Sequence, residues 1–383
     1  MSKGSNILQR IVTNSERSAS ACERKWSFRY QRRLSPLADA RAAYKQGSLV
    51  HRLLEAWYRR GMPDTKASCA FWQTIIEPWL EQRTHFAQGD VDAIVQENKE
   101  IAQEAWGMFA HYVEHWHAHD SAQWEVLAVS LTLARRVPFP NSQRFIMDRV
   151  GHEVREWIMA GEIDLLVRDR RDGTAWIVEH KTTMMTDMTA FCSRLTLDPQ
   201  VRAYAWLLRA PMNVDAIKVE GVIYNVLRKA VPYEPSLLAV PKPTRLNSTP
   251  KSKGLSRRAI DTTAEMYKSA IIKHGFDPDD YLDVLEGLKG KQFFHREYLP
   301  LDDVHLRDFE VDNGHWVLSR IEAERREYHP RQTSVCQGPG GNTCQYAAIC
   351  DVENKQTLSL FRKRTVRHEE LESAWADPEK TND

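Results

Sequence analysis

Two strand-forming segments separated by a short turn lie near the middle of the chain and predict a β-hairpin. The first segment carries Asp164, and the second carries Glu179 and Lys181. The turn between them contains Asp172-Gly173, a dipeptide favoured in β-hairpins. Because side chains alternate along a strand, Glu179 and Lys181 share one face, and a hairpin brings Asp164 next to Glu179.

The same alternation divides the first segment between two faces. One face is expected to carry Ile163, Leu165 and Val167, and the other Glu162, Asp164 and Leu166. Two carboxylates that meet on one face repel, and one takes up a proton unless a cation holds both ionised. The hairpin therefore indicates either a cation site or a solvated hairpin with ordinary surface charges.

The tripeptide Asp/Glu-x-Lys does not by itself decide between these two interpretations. It starts at Glu23, Asp64, Glu97, Glu179 and Glu353. Glu179 differs from the others because it ends a run of strand formers and follows a second acid-bearing strand. The tripeptide at Glu179 is therefore the one that we expect to be functional.

Composition limits the class of protein. The 383 residues carry 53 Lys+Arg against 52 Asp+Glu, so any nucleic-acid footprint must be local. No apolar run approaches the roughly 20 residues of a membrane span, and the first residues lack a signal-peptide core. With only 6 cysteines in so long a chain, we expect metal ligands or buried thiols, not a disulfide scaffold.

The order of predicted elements indicates an α/β fold with a central mixed β-sheet flanked by helices, plus helical additions. Helices are expected at about 39–60, 65–120, 199–210, 262–273, 277–290 and 301–328. Strands are expected between about 124 and 179, including Arg144-Phe145-Ile146, and again at 218–227. Asp198 followed by Pro199 marks a helix start. Residues 235–260 contain no acid and predict a mobile basic loop.

Two more motifs accompany the hairpin. His51 lies in a helical segment, and a neutral imidazole can ligate a divalent metal. Gln200 and Tyr204 are four residues apart, which places both on one helical face. Together with Asp164 and Glu179-x-Lys181, these motifs resemble the PD-(D/E)XK nucleases of the RecB type, over roughly residues 18–352.

This resemblance implies a role for each residue. Asp164, Glu179, His51 and the backbone carbonyl of His180 would bind Mg²⁺ or Mn²⁺, in a restriction-endonuclease-like core. Lys181 would orient the attacking water and stabilise developing negative charge. The family's Gln-x-x-x-Tyr motif, here Gln200 and Tyr204, borders the active site and contacts DNA.

Four cysteines extend the resemblance. Cys22 lies near the start of the chain, and Cys336, Cys344 and Cys350 cluster near its end. Some family members hold a four-iron, four-sulfur (4Fe–4S) cluster with one distant and three clustered cysteines, which would clip the chain ends together. The seven-residue gap after Cys336 is wider than usual in the family, so four-cysteine zinc and unliganded thiols remain alternatives. The other two cysteines, Cys69 and Cys192, are expected to be ordinary apolar residues.

The resemblance further implies a DNA exonuclease acting on linear or single-stranded DNA with little sequence specificity, in recombination, repair or phage DNA metabolism. The resemblance also implies a helicase, recombinase or annealing protein as partner, and a location in the cytoplasm of a bacterium or of a phage's host. Alternatives are a nuclease that trims DNA for CRISPR spacer acquisition and a catalytically silent iron–sulfur DNA-binding module. The basic residues expected to contact DNA are Arg24, Arg29, Arg32, Arg33, Lys251, Lys253, Arg257 and Arg258.

Three regions follow from this assignment. Residues 1–17 would be a flexible N-terminus, 18–352 the nuclease domain, and 353–383 a charged tail that frays after Thr365. The nuclease domain would include the helical region 65–120 and the basic loop 235–260.

Overall fold

The computed structural model describes residues 9–37, 42–85, 91–138, 156–209, 219–238, 254–258, 261–289, 291–338, 342–368 and 371. Its strands are β1 (Gln9–Thr13), β2 (Leu34–Pro36), β3 (Trp124–Arg136), β4 (Glu156–Asp169), β5 (Ala175–Thr183), β6 (Val219–Arg228), β7 (Phe294–Pro300), β8 (Gln337–Gly338), β9 (Asn342–Thr343) and β10 (Phe361–Lys363).

The helices of the first two thirds are α1 (Asn14–Ala19), α2 (Glu23–Trp26), α3 (Ala42–Arg59), α4 (Thr65–Ser68), α5 (Glu77–His85), α6 (Val91–Gln123), α7 (Met188–Leu195) and α8 (Pro199–Leu208). Those of the last third are α9 (Ala264–Lys273), α10 (Leu282–Lys289), α11 (Asp303–Glu324), α12 (Ala347–Asp351) and α13 (Lys355–Leu358). Ser27–Gln31 and Trp72–Ile76 are π-helical, whereas Pro278–Tyr281 and Thr333–Val335 are 3₁₀ turns.

A six-stranded mixed sheet lies at the centre, in the order β1-β4-β5-β6-β7, with β3 paired along the other edge of β4. The pairs β1–β4 and β5–β6 are parallel, and β3–β4, β4–β5 and β6–β7 are antiparallel. Helices pack on both faces. The predicted α/β fold with a mixed central sheet is therefore confirmed.

Local sequence signals place the elements around the predicted site. Gly173 closes the β4–β5 hairpin at φ 76°, in the left-handed region that glycine tolerates best. At the start of α8 the Asp198 carboxylate accepts the backbone N–H of Gln200 at 2.9 Å, and Pro199 occupies the first turn. Both the hairpin and this helix start therefore lie where the sequence predicts them.

Strand β4 leaves one neighbour and joins another near Asp164. On one edge it pairs with β1 as far as Ala160, opposite Thr13, and with β5 from Leu165, opposite Val178. Gly161 to Asp164 lies between these two ladders. Asp164 thus lies where the β1 ladder has ended and the β5 ladder begins along this edge of β4.

The predicted face assignment of β4 is wrong at one residue. Leu165 and Val167 pack in one core cluster, but Ile163 packs in the other, together with Leu166. The change coincides with an irregular β3–β4 ladder, because Ser130, which lies between the partners of Ile163 and Leu165, has φ 51°. A strand that twists at this point no longer keeps one apolar face.

The two core clusters cover the two faces of the sheet. One packs α8 and α11 against β4, β5 and β6, with Trp206 and Phe309 among its members. The other packs α3 and α6 on the opposite face, around Trp57 and Phe109. Burying rings of this size supplies much of the hydrophobic stabilisation, because the effect scales with apolar area.

The two ends of the chain pack against each other. β10 pairs antiparallel with β2, and Arg364 donates its backbone N–H to the carbonyl of Arg33 at 2.7 Å. Arg367 forms an ion pair with the fully buried Glu16. The expectation that the tail frays after Thr365 is therefore wrong as far as His368, which is itself buried.

Two strands of the central sheet were not expected from the sequence. β1 and β7 form the two ends of the strand order, and charged residues on β7 obscure its alternation. The predicted strand Arg144–Ile146 and most of the basic loop lie outside the described residues, although Leu237 and Leu255 form a bridge. Within the described part of the chain, no helix has the length and apolar character needed to cross a membrane.

Candidate functional site

Asp164 connects β4 to the backbone of β5. Its carboxylate accepts the backbone N–H of His180 at 2.9 Å, and Nδ1 of His51 on α3 lies 3.5 Å from the same oxygen. Burial opposes ionisation of Asp164, but His51 and the His180 N–H outweigh it and hold its pKa well below the usual range. Burial lowers the pKa of His51, but the Asp164 carboxylate outweighs burial, so the pKa of His51 lies above its ordinary value.

The ionised form of Glu179 is energetically unfavourable in this position. It is 3% exposed, and its Oε1 accepts from Lys181 Nζ at 2.8 Å. Its buried Oε2 has no hydrogen-bond partner among the residues that the structure describes. Burial raises the pKa of Glu179 to about 7. Lys181 lowers this pKa and only partly offsets the effect of burial, whereas the charge of Asp164 raises it further. A buried oxygen without a partner beside a second carboxylate is a suitable position for a cation.

Lys181 is held at the end of a short hydrogen-bond chain. Its ammonium donates to Gln200 Oε1 at 2.6 Å as well as to Glu179, and Gln200 Nε2 donates to the Tyr204 hydroxyl at 2.7 Å. Burial opposes its charge, but Glu179 outweighs it and raises the pKa of Lys181. The structure therefore joins the Glu-x-Lys tripeptide to the Gln-x-x-x-Tyr pair on α8.

A glycine allows Tyr204 to reach this position. A Cβ added at Gly161 would lie 2.9 Å from Cε1 of Tyr204, closer than carbon atoms pack without displacement. Only glycine permits this approach of the ring to β4 without a shift. Tyr204 is nearly buried, and burial together with Glu179 raises its pKa well above normal, so its hydroxyl keeps its proton.

The imidazole of His180 points away from Asp164, to the opposite face of the sheet. Its Nδ1 accepts from Asn225 Nδ2 at 2.8 Å, and its ring stacks on Tyr58 with centroids 5.7 Å apart. Burial lowers the pKa of His180 to about 4, so the ring is neutral at physiological pH. The side chain of His180 therefore anchors β5, whereas its backbone faces the site.

Behind His180 lies a buried ion pair that sequence reasoning missed. Arg296 on β7 donates to both oxygens of Asp120 at 2.6 and 2.7 Å, and to Asn225 Oδ1 at 3.2 Å. Its guanidinium lies between Trp116 and Trp124, 3.6 and 4.1 Å from the ring centroids. Phe294, Arg296 and Tyr298 alternate along β7, and this alternation could have indicated the strand. The charge of Arg296 breaks the apolar pattern by which a buried strand face is recognised.

The structure brings the four predicted cluster cysteines into one region. Cys22 is buried and the other three are half-buried, and Cys344 donates its backbone N–H to the carbonyl of Cys336 at 2.8 Å. Burial and the three neighbouring thiols of Cys22, Cys344 and Cys350 raise the pKa of Cys336. Of the two remaining cysteines, Cys192 is buried as expected, but Cys69 is exposed.

The predicted DNA-binding arginines near the cysteines mostly hold the chain ends together. Arg24 donates to the His329 carbonyl at 2.9 Å, Arg32 pairs with Glu353, and Arg33 donates to the Thr365 carbonyl at 3.1 Å. Arg29 lies over the ring of Tyr30.

In the basic loop, Arg257 contacts Asp283 at 3.1 Å, and Arg258 is exposed. Lys251 and Lys253 lie outside the described residues.

A cavity of about 400 Å³ opens beside Cys350, and four arginines contribute to its wall. They are Arg24, Arg32, Arg326 and Arg331.

Comparison with known proteins identifies the family. A family model described as the PD-(D/E)XK nuclease superfamily matches residues 15–351. The chain belongs to the PD-(D/E)XK nuclease superfamily. The matched span includes His51, the hairpin acids, Lys181 and the Gln200–Tyr204 pair, so the geometry above belongs to a nuclease-type fold.

Other comparisons add little. No curated protein sequence matches the chain. One similar solved structure is described as "Crystal structure of SSO0001"; it shares 12% identity, covers 71% of this chain and 97% of that chain, and has a TM-score of 0.28. At this TM-score the likeness has no bearing on the site.

Proposed function

We propose that this superfamily member is a metal-dependent DNA exonuclease of the RecB type that hydrolyses phosphodiester bonds of linear or single-stranded DNA. The observation that carries the proposal is the buried Glu179 Oε2. This oxygen has no hydrogen-bond partner within the described part of the chain, and the charge of Asp164 further disfavours ionisation of Glu179. An acid in this state is expected where a cation completes the site.

The donor set suits Mg²⁺ or Mn²⁺. Asp164 and Glu179 offer carboxylate oxygens, the His180 carbonyl offers a third oxygen, and His51 offers a nitrogen next to Asp164. Hard divalent cations prefer such oxygen-rich sites. When bound, the cation would lower the pKa of an attacking water and neutralise charge on the scissile phosphate.

The residues around this donor set would orient the reaction. Lys181 is held from two sides, by Glu179 and Gln200, so its ammonium has a fixed direction. A fixed ammonium can hold the attacking water in line and stabilise charge that develops on the phosphate. Tyr204 supports Gln200 and lies on the α8 face that borders the site.

We further propose that Cys22, Cys336, Cys344 and Cys350 hold a 4Fe–4S cluster, with zinc as the less favoured occupant. Their mutual proximity supports it, as does the packing of both chain ends around them. Four thiolates are the usual ligands of such a cluster. In this position the cluster would clip the N-terminal helices to the C-terminal segment.

DNA affinity would come from basic and aromatic groups near the cysteines. The cavity beside Cys350 places Arg331 and Arg326 with Phe28 and Tyr328 in one wall region. Arginines neutralise phosphates, and aromatic rings stack on unpaired bases with little sequence preference. We propose a role in recombination, repair or phage DNA metabolism, in which a helicase, recombinase or annealing protein supplies DNA ends.

The test is degradation of end-labelled linear DNA in Mg²⁺ or Mn²⁺. We expect Asp164→Ala and Lys181→Ala to lower the rate by several orders of magnitude while DNA binding persists. Lys99→Ala is the matched control, because Lys99 ends another Asp/Glu-x-Lys tripeptide but is exposed on α6. Undiminished degradation by Asp164→Ala or Lys181→Ala would overturn the proposal.

A further inference from the structure

Three side chains of different chemistry converge on the same sheet face as Glu179, near the edge strand. They are Cys192 on α7 and His295 and Glu297 on β7, and their ligand atoms all lie within 4.8 Å of one another. His295 and Glu297 are two residues apart on a strand, so both point to this face. His295 Nε2 lies 2.9 Å from Glu297 Oε2.

The group differs from a surface ion pair because one member is buried. Cys192 is 2% exposed, whereas the side chains of His295 and Glu297 are 20% and 44% exposed. The thiol therefore lies at the base of the group, and the carboxylate faces solvent. Burial raises the pKa of the Cys192 thiol to about 11, and Glu297 adds to this shift. A cation between them would replace that repulsion with attraction.

The donor set indicates which ion would bind. A thiolate, an imidazole and a carboxylate together suit zinc and similar borderline transition metals, whereas Mg²⁺ prefers oxygen ligands alone. We propose that Cys192, His295 and Glu297 form a transition-metal site of the zinc class, with solvent completing the coordination. It involves none of the four cysteines near the chain ends and does not rest on the proposed nuclease activity.

The sheet register separates this site from the hairpin acids. Glu179 on β5 lies opposite Tyr224 on β6, which lies opposite Glu297 on β7. Adjacent strands are about 4.8 Å apart, so Glu297 and Glu179 are about 10 Å apart across the sheet. The two sites therefore share one face but not one ion.

A metal in this position would tie α7 to the edge of the sheet. The end of α7 is already fixed to β6, because the Tyr224 hydroxyl donates to the Leu195 carbonyl at 2.9 Å. Three residues later Asp198 caps α8, which carries Gln200. The bound ion would thus stabilise the corner of the fold that leads into α8, and its loading should appear as increased thermal stability.

The experiment uses the full-length protein with its iron content measured. Wild type, Cys192→Ala, Glu297→Gln and the exposed-cysteine control Cys69→Ala are dialysed against micromolar Zn²⁺ with excess Mg²⁺, and metals are then quantified. Thermal unfolding is followed with and without Zn²⁺, and Co²⁺ replaces Zn²⁺ for absorption spectroscopy. Glu297→Gln keeps the buried thiol, so it tests the site even if Cys192→Ala folds poorly.

We expect wild type and Cys69→Ala to retain one more zinc per chain than Cys192→Ala, at equal iron content. Loss of a ligand should weaken zinc binding by more than the roughly 10–100-fold typical of losing an outer-shell partner. Zn²⁺ should raise the unfolding midpoint only where the triad is intact, and Co²⁺ should then show a thiolate charge-transfer band. Equal zinc content and equal midpoint shifts in wild type, Cys192→Ala and Glu297→Gln would overturn the site.

Discussion

The carboxylate of Asp164 accepts the backbone N–H of His180 at 2.9 Å, directly between Glu179 and Lys181. This bond fixes the acid of one strand to the tripeptide of the next at the point where the regular β4–β5 ladder ends. The hydrogen bond therefore holds the Asp164 carboxylate beside the tripeptide that carries Glu179 and Lys181.

Glu179 should make the stability of the metal-free protein depend on pH. Its folded pKa is about 7 against an ordinary 4.5, so its favourable contribution is complete below pH 4.5 and is lost as pH rises to 7. The loss should be on the order of 3 kcal/mol. Urea unfolding of wild type and Glu179→Gln across this window measures it. An identical pH profile in the two proteins, both without metal, would contradict the assignment.

Gln200→Ala should slow DNA degradation through Lys181. Without the amide the ammonium loses one of its two anchors, and misplacement of a catalytic group costs up to roughly 100-fold in rate. Tyr204→Phe removes only the support of Gln200 and should cost about tenfold. Single-turnover rates at saturating DNA measure both effects. Rates equal to wild type in both variants would show that the chain of hydrogen bonds has no role.

Gly161→Ala should impair the same chain by a steric route. The added methyl meets Cε1 of Tyr204 at 2.9 Å, so the ring must move and its bond to Gln200 weakens. We expect a rate loss of roughly 10-fold and a destabilisation of about 1–3 kcal/mol. Gly287→Ala is the matched control, because its Cβ meets nothing within 4 Å and it lies in a helix. Equal rate and stability in Gly161→Ala and Gly287→Ala would show that the approach of Tyr204 to β4 does not depend on glycine.

Arg296→Met should destabilise the fold strongly. It leaves Asp120 buried without its guanidinium, which typically costs about 3–5 kcal/mol. The double variant Arg296→Met/Asp120→Asn should recover part of this loss, because the uncompensated charge is removed as well. Arg257→Met breaks the exposed pair with Asp283 and should cost about 0–1 kcal/mol. Equal unfolding free energies for Arg296→Met and Arg257→Met would be inconsistent with a buried pair.

If Cys22, Cys336, Cys344 and Cys350 hold the proposed 4Fe–4S cluster, Cys344→Ser should remove iron from the purified protein and weaken the junction of the chain ends. Four thiolates are needed for a complete 4Fe–4S cluster, so loss of one should bleach its absorption. Cys69→Ser is the control, because Cys69 is exposed and distant in sequence from the group. A colourless wild type that contains zinc and no iron would replace the cluster with a zinc site.

Local signals made the hairpin and α8 predictable from the sequence. The Asp-Gly turn, the alternation around Glu179 and the Asp198-Pro199 start each act within a few residues. β7 was not predicted because its buried charge, Arg296, is stabilised by Asp120, a partner far along the chain. The position of Ile163 was mispredicted because the β3 irregularity at Ser130 is a tertiary feature.

The same limit applies to the proposed functional residues. The family resemblance led to the prediction of six of them, which are His51, Asp164, Glu179, Lys181, Gln200 and Tyr204. Only the packed structure shows that Glu179 Oε2 has no hydrogen-bond partner among the described residues. Cys192 was expected to be an ordinary apolar residue because His295 and Glu297 lie about a hundred positions away. Several basic residues near the cysteines also pair with the chain ends, which net charge along the sequence does not reveal.

Mn²⁺ binding by Asp164→Asn measures whether Asp164 and Glu179 form a cation site. Titration calorimetry at pH 7.5 should show that wild type and Lys99→Ala bind Mn²⁺, whereas Asp164→Asn binds it at least about 100-fold more weakly. Asp164→Asn removes a direct metal ligand, and the loss of an outer-shell partner alone weakens metal binding by roughly 10–100-fold. Circular dichroism confirms that each protein is folded. Equal Mn²⁺ affinity in Asp164→Asn and wild type would contradict the assignment of Asp164 and Glu179 as the cation site.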